Sequence, residues 1–170
     1  MARALRSDIR ALIMLLTAIP ALYGCDSLDD DRIPAVPVNV TFQTIADWNI
    51  YGVNAAMDWQ RFIRSERIPA NFFYTDITQT GFGGVLLVCD VLGEPQAYDL
   101  ACPVECRNDV RVAVSSEGEQ LAVCPKCGSS YNVFSLAGHP VSGPAAEHGY
   151  ALSKYRVVAG RAGAYRLITF

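Results

Sequence analysis

Short apolar runs separated by polar turns dominate the chain from residue 36 onward and predict a β protein. "VPVNVTF", residues 36–42, alternates apolar and polar side chains as a half-buried strand does. "GGVLLVCD", residues 83–90, is a continuous apolar run typical of a core strand, in which Cys89 is predicted to be a small buried apolar residue rather than a ligand. Further candidates recur about every ten residues and predict an all-β sandwich or barrel: "PQAYDLA", "VRVAVS", "QLAVC", "YNVFSL", "ALSKYRVV" and "AYRLITF".

"NAAMDWQRFIRSE", residues 54–66, is the exception to this pattern. Its apolar residues can share one face of a short helix, and Asn54 is a suitable N-cap. We therefore expect a helix here, with Trp59 packed against the sheet.

The first 24 residues have the pattern of a signal peptide. "MARALRSDIR" carries three arginines, and "ALIMLLTAIPALY" is an apolar run too short to span a bilayer comfortably. "LYGC", residues 22–25, resembles the lipobox of bacterial lipoproteins, which implies lipidation of Cys25 and an extracytoplasmic, membrane-anchored mature chain. The alternative is an ordinary signal peptide followed by an unmodified Cys25.

Residues 25–35 are acidic and contain proline, which predicts a solvated, extended tether before a domain over residues 36–170. Acidic residues behind a lipidated cysteine also resemble a surface-export signal, so the membrane and leaflet stay open. The chain of 170 residues is 51% apolar, enough for one domain with a real core. The net charge of −3 and the lack of a basic stripe give no reason to expect a nucleic-acid partner.

Four cysteines form two close pairs, Cys102 with Cys106 in "CPVEC" and Cys124 with Cys127 in "CPKCG". Paired thiolates at this spacing are typical of sites that bind zinc or iron–sulfur clusters. The second pair is the stronger signal, because Pro125 stiffens the turn and Gly128 tolerates a backbone that brings amides near the sulfurs.

"YDLACP" and "CPKCGSSYNVFSLAGHPVSGPAAEHGYALSKYRV" resemble the cluster-binding part of Rieske iron–sulfur proteins, most strongly over residues 95–158. The resemblance implies a Rieske-like small β-sandwich or barrel with a two-loop, cysteine-bearing subdomain, whose metal-binding loops would lie at about residues 101–145. It matches Cys102 and Cys124 to the cysteines of the two loops and "VSGPA", with Gly143 and Pro144, to the loop that covers the cluster. Gly128, Ser129, Leu152 and Tyr155 match further positions of the family pattern.

The departures from that family change the chemistry. Cys127 stands where the second histidine of the family stands, and Val104, which cannot ligate, stands where the first does. A Rieske centre has two imidazoles on one iron, so this chain cannot assemble one. We hypothesise a site of Cys102, Cys106, Cys124 and Cys127, with Ser129 and Tyr131 donating hydrogen bonds toward the sulfurs; both histidines are expected to be solvated.

Three occupants fit four thiols. Zinc needs no assembly machinery, and closed four-cysteine sites are usually structural. A [2Fe–2S] cluster fits the family resemblance. The arginines of the predicted signal peptide, however, indicate export of an unfolded chain, which counts against a cluster. Two disulfides fit an oxidising compartment.

These occupants lead to different functions. The first is a zinc-stabilised structural or binding lipoprotein; the alternative is a membrane-tethered electron carrier with an all-cysteine [2Fe–2S] cluster, whose redox partner docks at the cysteine loops. A thiol–disulfide protein acting through "CPKC" lacks the expected βαβ context. We expect no enzyme, since no nucleophile–base pair or paired carboxylates stand out.

Overall fold

A computed structural model describes residues 28–116 and 120–169. The protein is mostly β, as predicted, and its strands form two antiparallel sheets. The larger sheet contains β1 (Val38–Phe42), β2 (Trp59–Phe62), β3 (Gln79–Thr80), β4 (Val85–Cys89), β5 (Pro95–Asp99), β10 (Lys154–Ala159) and β11 (Tyr165–Ile168). The smaller sheet contains β6 (Ala113–Val114), β7 (Ala122–Val123), β8 (Ser130–Asn132) and β9 (His139–Ser142).

The larger sheet has the strand order β2-β4-β5-β10-β11-β1-β3 and curls into a nearly closed barrel. The smaller sheet, in the order β6-β7-β8-β9, is inserted between β5 and β10. Two short α-helices, α1 (Ile45–Tyr51) and α2 (Pro144–His148), and two 3₁₀ turns, Arg64–Glu66 and Arg161–Gly163, complete the described elements.

Burial within the barrel follows the sequence pattern. Side chains of β1 alternate between buried and half-buried, and all five residues of β4 are buried, including Cys89. Phe42 lies at the centre of an aromatic cluster, with ring centroids 5.0 Å from Trp48, 5.5 Å from Phe62 and 5.6 Å from Phe72. The predicted β-strand core is therefore confirmed.

The predicted helix over residues 54–66 is wrong. Residues 59–62 form β2, which pairs with β4 in the register Trp59↔Val88 to Phe62↔Val85. The positive φ of Met57, +67°, also breaks any helix before it can propagate. Trp59 packs against the core, as expected, but as a strand residue.

The helix lies earlier, at α1. Thr44 is its N-cap, and the Thr44 side chain and the Asp47 side chain each accept a hydrogen bond from the other residue's amide, at 3.1 and 3.0 Å. This capping box provides hydrogen-bond acceptors for two amides that would be unpaired at an uncapped helix N-terminus.

Asp99 connects the barrel to the chain that leads into the first cysteine loop. Its buried carboxylate accepts hydrogen bonds from the amides of Phe82, Gly83 and Ala101 at 2.9, 2.9 and 2.7 Å, and from the Tyr155 hydroxyl at 2.5 Å. Such a fully satisfied buried carboxylate fixes the backbone around it. Residue 101 is thereby held in place immediately before the first cysteine of the pairs.

No helix within residues 28–116 and 120–169 is long and apolar enough to cross a bilayer. The predicted signal peptide, residues 1–24, and the predicted lipidation site, Cys25, lie outside the described residues. Both stay predictions.

Candidate metal centre

The first cysteine loop begins where β5 ends. The amide of Cys102 donates to the carbonyl of Val110 at 3.0 Å, and the amide of Cys106 donates to the carbonyl of Cys102 at 2.9 Å. An isolated β-bridge between Ala101 and Arg111 closes the base of this loop. These backbone bonds direct Cys102 into the core, where it is fully buried.

The second cysteine loop is the turn between β7 and β8. The amide of Cys124 donates to the Ser129 carbonyl at 2.9 Å, and the Gly128 amide donates to the Cys124 carbonyl at 3.0 Å. Gly128 has a φ of +72°, a left-handed conformation that a residue with a side chain adopts at a cost. This tight turn brings Cys127 back beside Cys124, as the Cys-x-x-Cys-Gly pattern predicts.

Three sulfurs from the two loops converge. The Sγ atoms of Cys102, Cys124 and Cys127 all lie within 4.8 Å of one another, and those of Cys102 and Cys127 are 3.6 Å apart. A Zn–S distance of about 2.3 Å in a tetrahedral site implies about 3.8 Å between ligand sulfurs. The observed spacing therefore suits thiolates that share one ion.

None of the cysteines in the described ranges is in a disulfide; Cys89, Cys102, Cys106, Cys124 and Cys127 are all free. A disulfide requires a sulfur separation of about 2.05 Å. The three converging thiols are thus close enough to bind one ion, and no disulfide joins them.

Cys106 is the hypothesised ligand that the structure does not bring into this group. Its thiol donates to the carbonyl of Pro103 at 3.0 Å and to that of Arg32 at 3.6 Å. Its φ of +49° is left-handed, so the loop turns sharply at this residue. The structure therefore assembles three of the four hypothesised ligands, and Cys89 lies apart from them in β4.

The two hydroxyls expected near the sulfurs lie there. The Oγ atom of Ser129 is 3.2 Å from Cys127 Sγ, and the hydroxyl of Tyr131 is 3.5 Å from Cys102 Sγ. Both side chains are fully buried. In a protonated site the Cys127 thiol donates to Ser129, whereas toward a thiolate the hydroxyl becomes the donor.

The predicted covering loop packs directly on Ser129. The amide of Ala145 donates to Ser129 Oγ at 3.0 Å, and Pro144 is the first residue of α2. Gly143 has a φ of +76°, and a Cβ at this position would lie 2.9 Å from the Ser129 Cα atom. Glycine at residue 143 therefore permits the close contact between this loop and the second cysteine loop.

The pKa values of the Cys124 and Cys127 thiols are shifted in opposite directions by their surroundings. Burial raises the pKa of Cys124 to about 12, although amides of Cys127 and Lys126 donate toward its sulfur. Burial also raises the pKa of Cys127, but hydrogen bonds from the Ser129 hydroxyl and amide, and from the other two cysteines, outweigh it and leave the pKa lowered. Cys127 is thus the thiol of this pair that ionises more readily when no ion is bound.

Two contacts at the site were not anticipated from the sequence. Lys126 and Glu105 form an ion pair that joins the two cysteine loops, and Arg32 reaches Cys106 from far along the chain. The residue types of both pairs are visible in the sequence, but the number of residues between the partners gives no indication that they meet. His139 and His148 lie at β9 and α2, outside the group of three cysteines.

Comparisons with models of protein families, with curated proteins and with solved structures found no match to this chain.

Proposed function

We propose that the chain is a lipid-anchored, extracytoplasmic domain of Rieske-like architecture in which one zinc ion joins the two cysteine loops. The observation that carries this proposal is the convergence of Cys102, Cys124 and Cys127 from two loops to within 4.8 Å. The ion would supply no reaction; its bonds to the thiolates would hold the two cysteine loops together.

The spacing of the sulfurs supports a single ion over a two-iron cluster. In a Rieske-like arrangement Cys102 and Cys124 would share one iron, and Cys127, at a histidine position, would bind the other. Ligands on opposite irons are farther apart than ligands of one tetrahedral ion. The 3.6 Å between Cys102 and Cys127 therefore favours zinc.

Cys106 is our candidate for the fourth ligand. It lies in the same loop as Cys102, and its side chain would have to turn away from the carbonyls of Pro103 and Arg32 to reach the ion. With this residue the site would be closed, as structural zinc sites are. The domain would then be a structural or binding lipoprotein with no catalytic step.

A second candidate, a membrane-tethered electron carrier with an all-cysteine [2Fe–2S] cluster, is favoured by the hydroxyls of Ser129 and Tyr131. Hydrogen bonds to cluster sulfurs raise a reduction potential, and both hydroxyls lie within 3.5 Å of a cysteine sulfur. A redox partner of such a carrier would dock at the cysteine loops.

Element analysis and the visible spectrum of residues 26–170, purified from a bacterial host without added metal, test these candidates. We expect about one equivalent of zinc and no visible absorbance. About two equivalents of iron with matching sulfide would replace the zinc proposal with the electron carrier, and a protein with neither metal would refute both.

The variant Cys127→Ser tests the ligand assignment. We expect it to lose the bound metal and to loosen residues 100–145 while the barrel remains folded. Cys89→Ala is the matched control, because Cys89 is a buried cysteine of the barrel and its loss leaves the three converging sulfurs intact. Native metal content in Cys127→Ser would show that the assignment is wrong.

A further inference from the structure

The segment that leads from the predicted lipidation site is docked on the domain. Asp29 pairs with Tyr150 in a parallel bridge: the Asp29 amide donates to the Gly149 carbonyl, and the Ala151 amide donates to the Asp29 carbonyl, both at 2.9 Å. The Ser153 hydroxyl also donates to the Asp30 carbonyl. We call residues 29–33 the strap.

Side chains fix the strap to the end of the domain that carries the cysteines. The guanidinium of Arg32 lies over the Tyr150 ring, 4.3 Å from its centroid, and Ile33 is buried. The Arg32 carbonyl lies 3.6 Å from the Cys106 sulfur, which places the strap beside the first cysteine loop whether or not the Cys106 side chain turns toward the ion. Tyr150 itself packs against the core cluster that contains Cys102 and Cys124, so the strap lies on the same packed unit as the metal centre.

We propose that the strap holds the metal-centre end of the domain against the lipid surface; this inference rests on the lipid anchor at Cys25 in the proposed function. A free tether over residues 25–35, ten steps from Cα to Cα, could extend about 35 Å, whereas the four steps from Cys25 to Asp29 extend at most about 14 Å. Docking of the strap therefore brings the cysteine loops close to the anchor.

The opposite end of the domain is defined by β10. This strand starts next to Ser153, which contacts the strap, and its six residues lead to the turn at Gly160 and Arg161. Six strand residues extend about 20 Å. The turn at residue 161 thus lies about one strand length from the strap, and we expect it to be farther from the lipid than the cysteine loops are.

Energy transfer to a membrane measures this orientation. The full lipidated chain, carrying a fluorescent non-natural amino acid at residue 107 or at residue 161, is reconstituted in phosphatidylethanolamine–phosphatidylglycerol vesicles with acceptor-labelled headgroups. Arg107 and Arg161 are both exposed, so the fluorophore should not disturb the core. We expect transfer from residue 107 to be at least twice as efficient as transfer from residue 161.

The double variant Asp29→Pro, Arg32→Ala removes the strap's amide donor and its contact with Tyr150, and should abolish the difference between the two labels. Asp31→Ala, which removes an exposed carboxylate of the same strap, is the matched control and should preserve it. Equal or reversed transfer in the wild-type protein would overturn the proposal. So would fast hydrogen exchange at the amides of Asp29 and Ala151.

The outcomes separate this inference from the proposed function. A protein that binds vesicles and metal but shows equal transfer contradicts the strap inference alone. A protein that does not bind vesicles contradicts the lipid anchor and, with it, the inference. Metal content measured on the same samples tests the zinc site independently of orientation.

Discussion

The two sheets of this domain differ in what can hold them together. The barrel has strands of four to six residues at most of its positions and a cluster of aromatic rings around Phe42. The smaller sheet has strands of two to four residues, and buried cysteines contribute to the core beneath it. Burial of large apolar side chains can stabilise the first region, whereas the second is too small to depend on burial alone.

The two regions nevertheless share a boundary. Leu86, Val88 and Tyr98 of the barrel strands pack in one cluster with Cys102 and Cys124. Loosening of the cysteine loops therefore exposes one outer face of the barrel but leaves the aromatic cluster covered. With the proposed ion in place, metal binding would stabilise the smaller sheet without being required for the barrel.

Removal of the metal should produce the largest difference in stability between the two sheets. Because a structural zinc site contributes on the order of 10 kcal/mol in small zinc domains, a chelator should lower amide protection in β6 to β9 about a hundredfold or more. Protection in β4 and β5 should change little. Hydrogen exchange followed by mass spectrometry measures both, and equal loss in the two sheets would show that they form one cooperative unit.

Phe42→Ala should instead destabilise the barrel. Loss of this fully buried ring, which contacts three other aromatic rings, should lower the free energy of unfolding by about 3–5 kcal/mol. Urea unfolding measures this loss, and metal content should stay at the wild-type level in the folded protein. Phe73→Ala is the control: this ring is 81% exposed, so the change should stay within about 0.5 kcal/mol. A larger loss in Phe73→Ala would contradict the assignment of the core.

The barrel was the more predictable of the two regions. Alternation in β1 and the continuous apolar run of β4 reflect burial directly, so the sequence pattern is sufficient there. The error at residues 54–66 has a physical cause: apolar residues spaced for a helix face also fit a short edge strand, and pairing with β4 decides between them. The Thr-x-x-Asp pattern at residues 44–47 was a signal for α1 that could have been used.

The cysteine loops were predictable only in part. The tight turn at Cys124 to Gly128 follows from local residue types, and the spacing of the pairs predicts that two loops meet. The direction of the Cys106 side chain depends instead on a left-handed backbone and on Arg32, 74 residues away. Such a contact has no local signature, and the same holds for docking of the strap through backbone groups.

Ser129→Ala should weaken the site without dismantling it. Loss of the hydroxyl removes the contact with Cys127 and the acceptor for the Ala145 amide, and changes of this kind typically cost 10–100-fold in metal affinity. Competition with a zinc-binding dye measures the affinity. Tyr131→Phe, which removes a longer contact of 3.5 Å, should have a smaller effect. If the larger effect came from Tyr131→Phe, the contribution of Ser129 to the site would have to be reconsidered.

Cys106→Ser should have the smallest effect on metal content. This variant would show whether Cys106 is a ligand of the same importance as the three converging cysteines. Since three other sulfurs already converge, the variant should retain about one equivalent of zinc but release it more readily to a chelator. Cys127→Ser, compared in the same assay, should lose the ion. If Cys106→Ser loses it equally, the fourth thiolate is indispensable and the Cys106 side chain must turn inward on binding. If neither affinity nor release rate changes, Cys106 is not a ligand, and its partners are the carbonyls of Pro103 and Arg32 in the metal-bound protein as well.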